Sequence, residues 1–410
     1  MLARLSILCF LACCTLSLGQ EVATPAKAPQ QDDKVLTRDH RLRIASWNML
    51  NLFDNFDEPN KPDEGTPPKS FAEMQFLAKA IDDLDADILG VQEVENRAVL
   101  EALNAHLKRP FVYVELIEGN DHRGIDVGLL SRLPVVRAAS HRQLDLETNH
   151  RFARDFPLFR VQIAKGEFIE VGVLHLKSKR GKASESNAWR RAEADGIRRI
   201  VARQRKLEPK VPVVIMGDFN DTREAKTLEP IFATFNDPTK IVPAAERYSF
   251  SFRGNREQID FILGLGMPRA DKAYFLQRAD SPSDHSPVIV DFAVTSTLKR
   301  LESPALGPPK APKRPRIKAK DLASAKKHFL QEVEIEGIVV KVHHYKGGAA
   351  ALNFDRDHAS AVVVYVPKEA VARIGKVDDL IGKNVKVRGP ISKHRRTYQI
   401  RLTRPSQLDR

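Results

Sequence analysis

Acidic, amide and imidazole side chains recur in this sequence at the ends of short apolar runs, and these positions are the first candidates for chemistry. Trp47-Asn48 closes one run, Gln92-Glu93 a second and Val173-Leu174-His175 a third. Met216-Gly217-Asp218-Phe219-Asn220 closes another, Gln258-Ile259-Asp260 opens one, and Ser283-Asp284-His285-Ser286-Pro287 precedes the last. Oxygen ligands such as Glu93 and Asp284 suit a hard cation, Mg²⁺ or else Mn²⁺ or Ca²⁺. Asp284-His285 is a natural acid–base pair. Asp260 lies inside an apolar strand, where an unpaired carboxylate is costly or turns neutral. Taken singly, each residue also has a plainer reading. Glu93 can be a carboxylate at a helix N-terminus, Asp218 to Asp221 an ordinary turn, and His175 a satisfied surface or core histidine.

The elements that must position these groups are legible as patterns. Runs at 43–47, 88–91, 127–130, 171–174, 211–216 and 288–292 read as buried strands, and helical periodicity covers 71–84, 98–107 and a basic stretch from 185 to 207. Strands mixed with helices over 41–295 predict a layered α/β domain, a two-sheet β-sandwich flanked by helices in four layers. Residues 296–320 interleave five prolines with lysines and arginines and read as an extended linker. Residues 321–410 alternate apolar with polar in about five short runs, with a short helix at 368–373. That pattern predicts a small β-barrel of OB-like type.

The six motifs, in this order, resemble the endonuclease/exonuclease/phosphatase superfamily, to which deoxyribonuclease I-like enzymes and bacterial sphingomyelinases belong. Trp47 to Asp54 and Arg123-Gly124-Ile125-Asp126-Val127 look closest to secreted bacterial nuclease-type members. The resemblance implies a divalent metal held by Glu93 with Asn48 and Asp284. It implies His285 oriented by Asp260, Asp218 managing a proton, and Asn220 holding a non-bridging phosphate oxygen. His175 would be a second histidine donating to the phosphate or leaving group. Asn48, Arg123, Asp126 and Arg154 would touch substrate, Arg154 as a phosphate-binding arginine. Arg123 and Asp126 can equally form a structural ion pair, and Arg154 can pair with a neighbouring acid. For the carboxylate partner of His175, Glu115 and Asp126 compete.

Charge is distributed unevenly. Of the chain's net +13, the segment from Lys299 to Arg410 carries 25 Lys/Arg against 11 Asp/Glu, a net of +14, which leaves the rest at −1. A basic module on a neutral body fits a polyanionic partner, with nucleic acid (DNA or RNA) as the expected substrate. The cluster Lys177, Lys179, Arg180, Lys182, Arg190 and Arg191 can serve the same end or be a solvated face. Residues 1–19 read as a cleaved signal peptide and 20–40 as a flexible lead, so export to the periplasm or beyond is expected. Cys9, Cys13 and Cys14 all fall within that signal, so disulfide or thiol chemistry is not expected of the mature chain. No later run is apolar enough to span a bilayer, and a monomer is expected. The function this predicts is a secreted metal-dependent nuclease. The alternatives are a phosphatase or phospholipid phosphodiesterase on the same scaffold, or a non-catalytic polyanion binder.

Overall fold

The computed structural model describes residues 41–410 except 57–60, 62–65, 147–149, 253, 279, 296–299 and 302–313. The expected signal peptide and lead, and most of the expected linker, lie outside the described residues.

The first half of the sandwich runs β1 (Arg41–Leu52), α1 (Phe71–Leu84), β2 (Ile88–Val94), α2 (Arg97–Ala105), β3 (Tyr113–Leu116) and β4 (Asp126–Ser131). The second sheet is built from β5 (Val135–Ala139), β6 (Leu158–Ala164), β7 (Glu167–His175) and β8 (Val213–Asp218), with α3 (Ala183–Leu207) between the last two. After α4 (Glu229–Phe232) and a small hairpin of β9 (Phe250–Phe252) and β10 (Asn255–Glu257), β11 (Asp260–Leu265) joins the second sheet. Next, β12 (Ala270–Phe275) and β13 (Val288–Ala293) return to the first. The sheet orders are β12-β13-β1-β2-β4-β3 and β11-β8-β7-β6-β5.

Burial explains the layering. Ile44, Ile88, Val127 and Leu129 of the first sheet meet Val161, Val171, Val214 and Ile262 of the second in one apolar core. The outer face of the first sheet is covered by Leu77, Ile81 and Leu84 of α1 and Leu100 and Leu103 of α2. The second is covered by Ile197 and Val201 of α3 and Ile231 of α4. This is the expected four-layer sandwich. Helix α1 begins where expected because Ser70 and Glu73 form a reciprocal capping box, and it ends at Asp85 in the left-handed conformation.

Register gathers the candidate residues. In the parallel pair β7·β8, His175 lies beside Asp218, and in the antiparallel pair β8·β11, Asp218 lies beside Asp260. In the first sheet, Asn48 of β1 pairs with Gln92 of β2, one residue before Glu93.

The C-terminal β domain comprises β14 (Arg316–Lys318), α5 (Leu322–Lys327), β15 (Glu332–Ile338), β16 (Lys341–His344), β17 (Ala350–Asn353), β18 (Val363–Val366), α6 (Lys368–Ile374), β19 (Asn384–His394), β20 (Thr397–Arg401) and β21 (Leu408–Asp409). Its sheet path is β14-β15-β19-β20-β18-β17-β16, with β21 against β19. One expectation needs correction at both ends. The linker reading of 296–320 does not hold at its end, because Arg316–Lys318 pairs in parallel with β15 and buries Ile317. It is also tied down at its start. Arg300 bonds Asp87 and Asp85, and the Leu301 amide donates to Arg132 O at 2.7 Å.

The two domains touch at the start of α1. Glu332 Oε2 accepts the Phe71 amide at 3.0 Å, and Thr403 Oγ1 donates to Glu73 Oε1 at 3.2 Å. The Arg404 guanidinium lies 4.4 Å from the Phe76 ring centroid and donates to Asp280 O at 2.7 Å. Asp280 belongs to the loop that carries Asp284 and His285.

Candidate active site

At the ends of the central strands opens a cleft of about 1510 Å³, lined by Glu93, His175, Asp218, Asn220, Asp284 and His285 among others. Asn48 does not line it but lies directly behind two lining residues. Fully buried, it donates from Nδ2 to Asp218 Oδ2 at 3.1 Å and more weakly to Glu93 Oε1 at 3.4 Å, while its Oδ1 accepts the Leu50 amide. Glu93 adopts a left-handed backbone, φ 59°, and its Oε2 accepts the Asn51 amide at 3.0 Å. Strain of this kind at a non-glycine residue concentrates at functional sites.

His285 is held from three sides. Its Nδ1 lies 2.7 Å from Asp260 Oδ2, its amide donates to Ser283 Oγ at 3.1 Å, and its carbonyl accepts the Trp47 indole N–H at 3.0 Å. Ser283 Oγ in turn donates to Asn48 O at 2.6 Å, which ties the loop to β1. Burial works against an imidazolium here, but the carboxylates of Asp260, Asp218 and Asp284 outweigh it and push the His285 pKa up to about 10. The other ring nitrogen, Nε2, lies 3.9 Å from both Asp218 and Asp284. Burial, with the neighbouring Asp260 charge, raises Asp218 to about 7.

His175 differs in kind. Its Nε2 is 3.5 Å from Asp218 Oδ2, while Nδ1 has no hydrogen-bond partner among the described residues. Burial, and then the Arg154 charge, hold it well below the ordinary histidine value, so it is a neutral imidazole. Neither carboxylate expected to orient it does so. Glu115 lies near Arg97 at 3.8 Å, and Asp126 is buried, accepting the Gly119 amide at 2.7 Å.

The substrate-side expectations divide. Arg154 and Arg123 line the cleft, and both pair with Asp121: Arg154 Nε at 2.9 Å and Arg123 Nε at 3.2 Å. Asp126 does not line the cleft: it is buried behind the wall, which raises its pKa to about 7, and its carboxylate serves the backbone. Asn220, φ 53°, lines the cleft while its Nδ2 donates to Leu176 O at 3.0 Å. Lys177, Lys179 and Arg180 line it as well, but Arg190 and Arg191 do not. Arg190 is fully buried, bonding Asp221 and Lys177 O, and Arg191 faces Asp195 and Glu229.

The residues present suit a hard divalent cation. Glu93 and Asn48 offer oxygens, and Asp284 stands partly open beside them with its pKa raised by burial and then by the Glu93 charge. A carboxylate pushed toward protonation by a neighbouring carboxylate is relieved by a cation between them. Asp218, Asp260 and His285 also bring ligand atoms within 4.8 Å of one another. Within that group His285 Nδ1 and Asp260 Oδ2 are engaged with each other.

Sequence reasoning missed several residues. Lys69 donates to Pro282 O at 3.2 Å and feels the charges of Glu73, Glu93 and Asp284. Asp121 organises both cleft arginines. Glu193 of α3 accepts the Ala153 and Lys177 amides, each at 2.7 Å, and joins the two segments that flank the phosphate side. Its signal was present: Ser186, Arg190, Glu193, Ile197 and Val201 follow the inward stripe of α3.

Fold and site together define a metal-dependent phosphodiester hydrolase. Residues 43–243 match the model of the Endonuclease/Exonuclease/phosphatase family. Similar solved structures include truncated Caenorhabditis elegans TDP2, at 17% identity and TM-score 0.46, covering 62% of this chain and 98% of that one. The human Nocturnin catalytic domain with bound sulfate anion is similar at 18% and 0.47, covering 64% and 97%. An endonuclease/exonuclease/phosphatase from Bacteroides vulgatus is similar at 18% and 0.46, covering 62% and 99%. No curated protein matches the chain.

Proposed function

We propose that this protein is an exported nuclease that hydrolyses phosphodiester bonds of nucleic acid with a divalent cation, Mg²⁺ or else Mn²⁺ or Ca²⁺. The observation that carries the reading is that Glu93, His175, Asp218 and His285 line one cleft with a cationic wall, with Asn48 and Asp260 bonded directly behind them. The cleft's volume of about 1510 Å³ exceeds the few hundred to ~1,000 Å³ usual for small ligands.

Glu93, Asn48 and Asp284 would hold the cation, which supplies Lewis-acid neutralisation of phosphate charge when bound. Asp260 fixes the His285 ring so that Nε2 meets the reacting phosphate. Asp218, within 4 Å of Nε2 on both histidines, is placed to take the proton of an attacking water. His175, kept neutral, donates a hydrogen bond to a phosphate or leaving-group oxygen. Arg154, held rigid by Asp121 and Leu176 O, and Asn220 meet non-bridging oxygens. The basic C-terminal domain, with Lys393, His394, Arg395 and Arg396 exposed at the β19–β20 turn, holds the polyanion and raises its local concentration.

The test presents purified protein with plasmid, single-stranded DNA, RNA, sphingomyelin and inositol phosphates, each with Mg²⁺, Mn²⁺, Ca²⁺ or chelator. Cation-dependent cleavage of nucleic acid, lost in His285→Ala and Glu93→Ala, is expected. Turnover of only the lipid or the phosphomonoesters would overturn the nuclease reading.

A further inference from the structure

We propose that the cleft contains a nucleobase-stacking subsite built from His150 and Trp189, a proposal that rests on the nuclease reading. The two rings lie parallel, with centroids 4.3 Å apart and planes within 9°. Both line the same cleft as His175 and Asp218. The indole is fixed: it packs against the apolar cluster under α3 and donates from Nε1 to Arg151 O at 2.8 Å. Lys177 Nζ lies 5.8 Å from its ring centroid, and Lys177 follows His175 by two residues.

A rigid flat stack beside a cation, one step from the groups that meet the reacting phosphate, has the chemistry of a base-binding platform. Every base has a π-face, so stacking is sequence-tolerant, and an already immobilised indole loses little freedom on binding. Phosphate contacts alone would not need it. A polyol phosphate has no aromatic ring to stack, so the pair also favours nucleotides over that class. A base flanking the scissile phosphate extends the His150–Trp189 stack while its phosphate meets Lys177 and Arg154.

The chain has two tryptophans, and the other, Trp47, is 1% exposed. Tryptophan emission therefore reads the subsite directly, with turnover stopped by chelator. The ligands are a deoxythymidine oligonucleotide and a backbone of equal length carrying abasic tetrahydrofuran units. Base-dependent quenching by the first alone is expected, absent in Trp189→Phe. Trp189→Ala is expected to lower kcat/KM on the oligonucleotide by about 5- to 150-fold, leave the abasic backbone unchanged, and be rescued by Trp189→Phe. Equal loss on both ligands, no loss on the oligonucleotide, or equal quenching by both would overturn the subsite. A wild-type protein that cleaves neither ligand overturns the nuclease reading instead, while quenching by the base-bearing ligand still supports stacking.

Discussion

Asp260 answers two demands at once. One oxygen holds His285 at 2.7 Å, while the other, Oδ1, is buried with no hydrogen-bond partner among the described residues. A buried carboxylate so placed is sustained by the positive imidazole it faces. Asp260→Asn keeps the shape and removes the charge, so kcat on nucleic acid is expected to fall about 10²- to 10⁴-fold with KM little changed. Steady-state kinetics on one oligonucleotide check this. Glu193 makes a separate prediction. Burial raises its pKa from 4.5 to about 7, so the folded state binds the proton more tightly than the unfolded chain. The protein therefore loses stability as pH rises from near 4.5 to near 7, by about 3 kcal/mol from this group. Glu193→Gln is expected to flatten that part of the melting-temperature profile, although its single acceptor oxygen can serve only one of the two amides. At this scale the sequence revealed groups sitting at strand ends, such as His285. Buried helix charges left a fainter signal, because Arg190 and Glu193 lie on the inward stripe of α3 among many exposed charges.

Elements set the approach distances that residues exploit. Gly217 precedes Asp218 with φ 146°, and an added Cβ would lie 1.9 Å from Leu174 O on the neighbouring β7. Only a bare backbone permits that contact beside His175. Gly217→Ala must move one strand end, at about 1–3 kcal/mol of strain, and is expected to lower both melting temperature and turnover. A turnover loss of about 10-fold or more would accompany even a sub-ångström shift between His175 and Asp218. Unchanged turnover in a stably folded variant would contradict the tight-packing account. Helix α1 was legible end to end because its capping box and apolar stripe agree. Helix α2 starts and stops before its expected bounds because Asn96 caps it, its side chain accepting the Val99 amide. Residues 333–342 alternate without a break in the sequence, yet the chain turns between β15 and β16, where the Val340 amide donates to Asn353 O and Val339 bridges Ile381. Periodicity continues through such a bend and does not reveal it.

For the whole molecule, the C-terminal domain is more than a tethered handle. Arg404 and Thr403 reach the catalytic loop and α1, and desolvation lowers the Arg404 pKa, consistent with a packed guanidinium. Arg404→Ala is expected to reduce turnover about 10-fold on oligonucleotide and on a small phosphodiester alike, because it frees the loop that presents Asp284 and His285. A loss confined to the oligonucleotide would assign Arg404 to substrate binding instead. Charge asymmetry made the basic domain visible in the sequence. Its docking was invisible, since Glu332, Thr403 and Arg404 lie more than 250 residues from the α1 groups they touch. Among the described residues no helix is long and apolar enough to cross a membrane.

Arg300 anchors the departing chain to Asp85 and Asp87 at one end of α1, while Glu332 grips the other end of the same helix. Glu332, with Thr403 on Glu73 and Arg404 over Phe76, would hold the two domains together even were the covalent connection between them severed. They would migrate together in dilute buffer as a clipped but working particle, and part only when strong brine or urea loosens the side-chain grip.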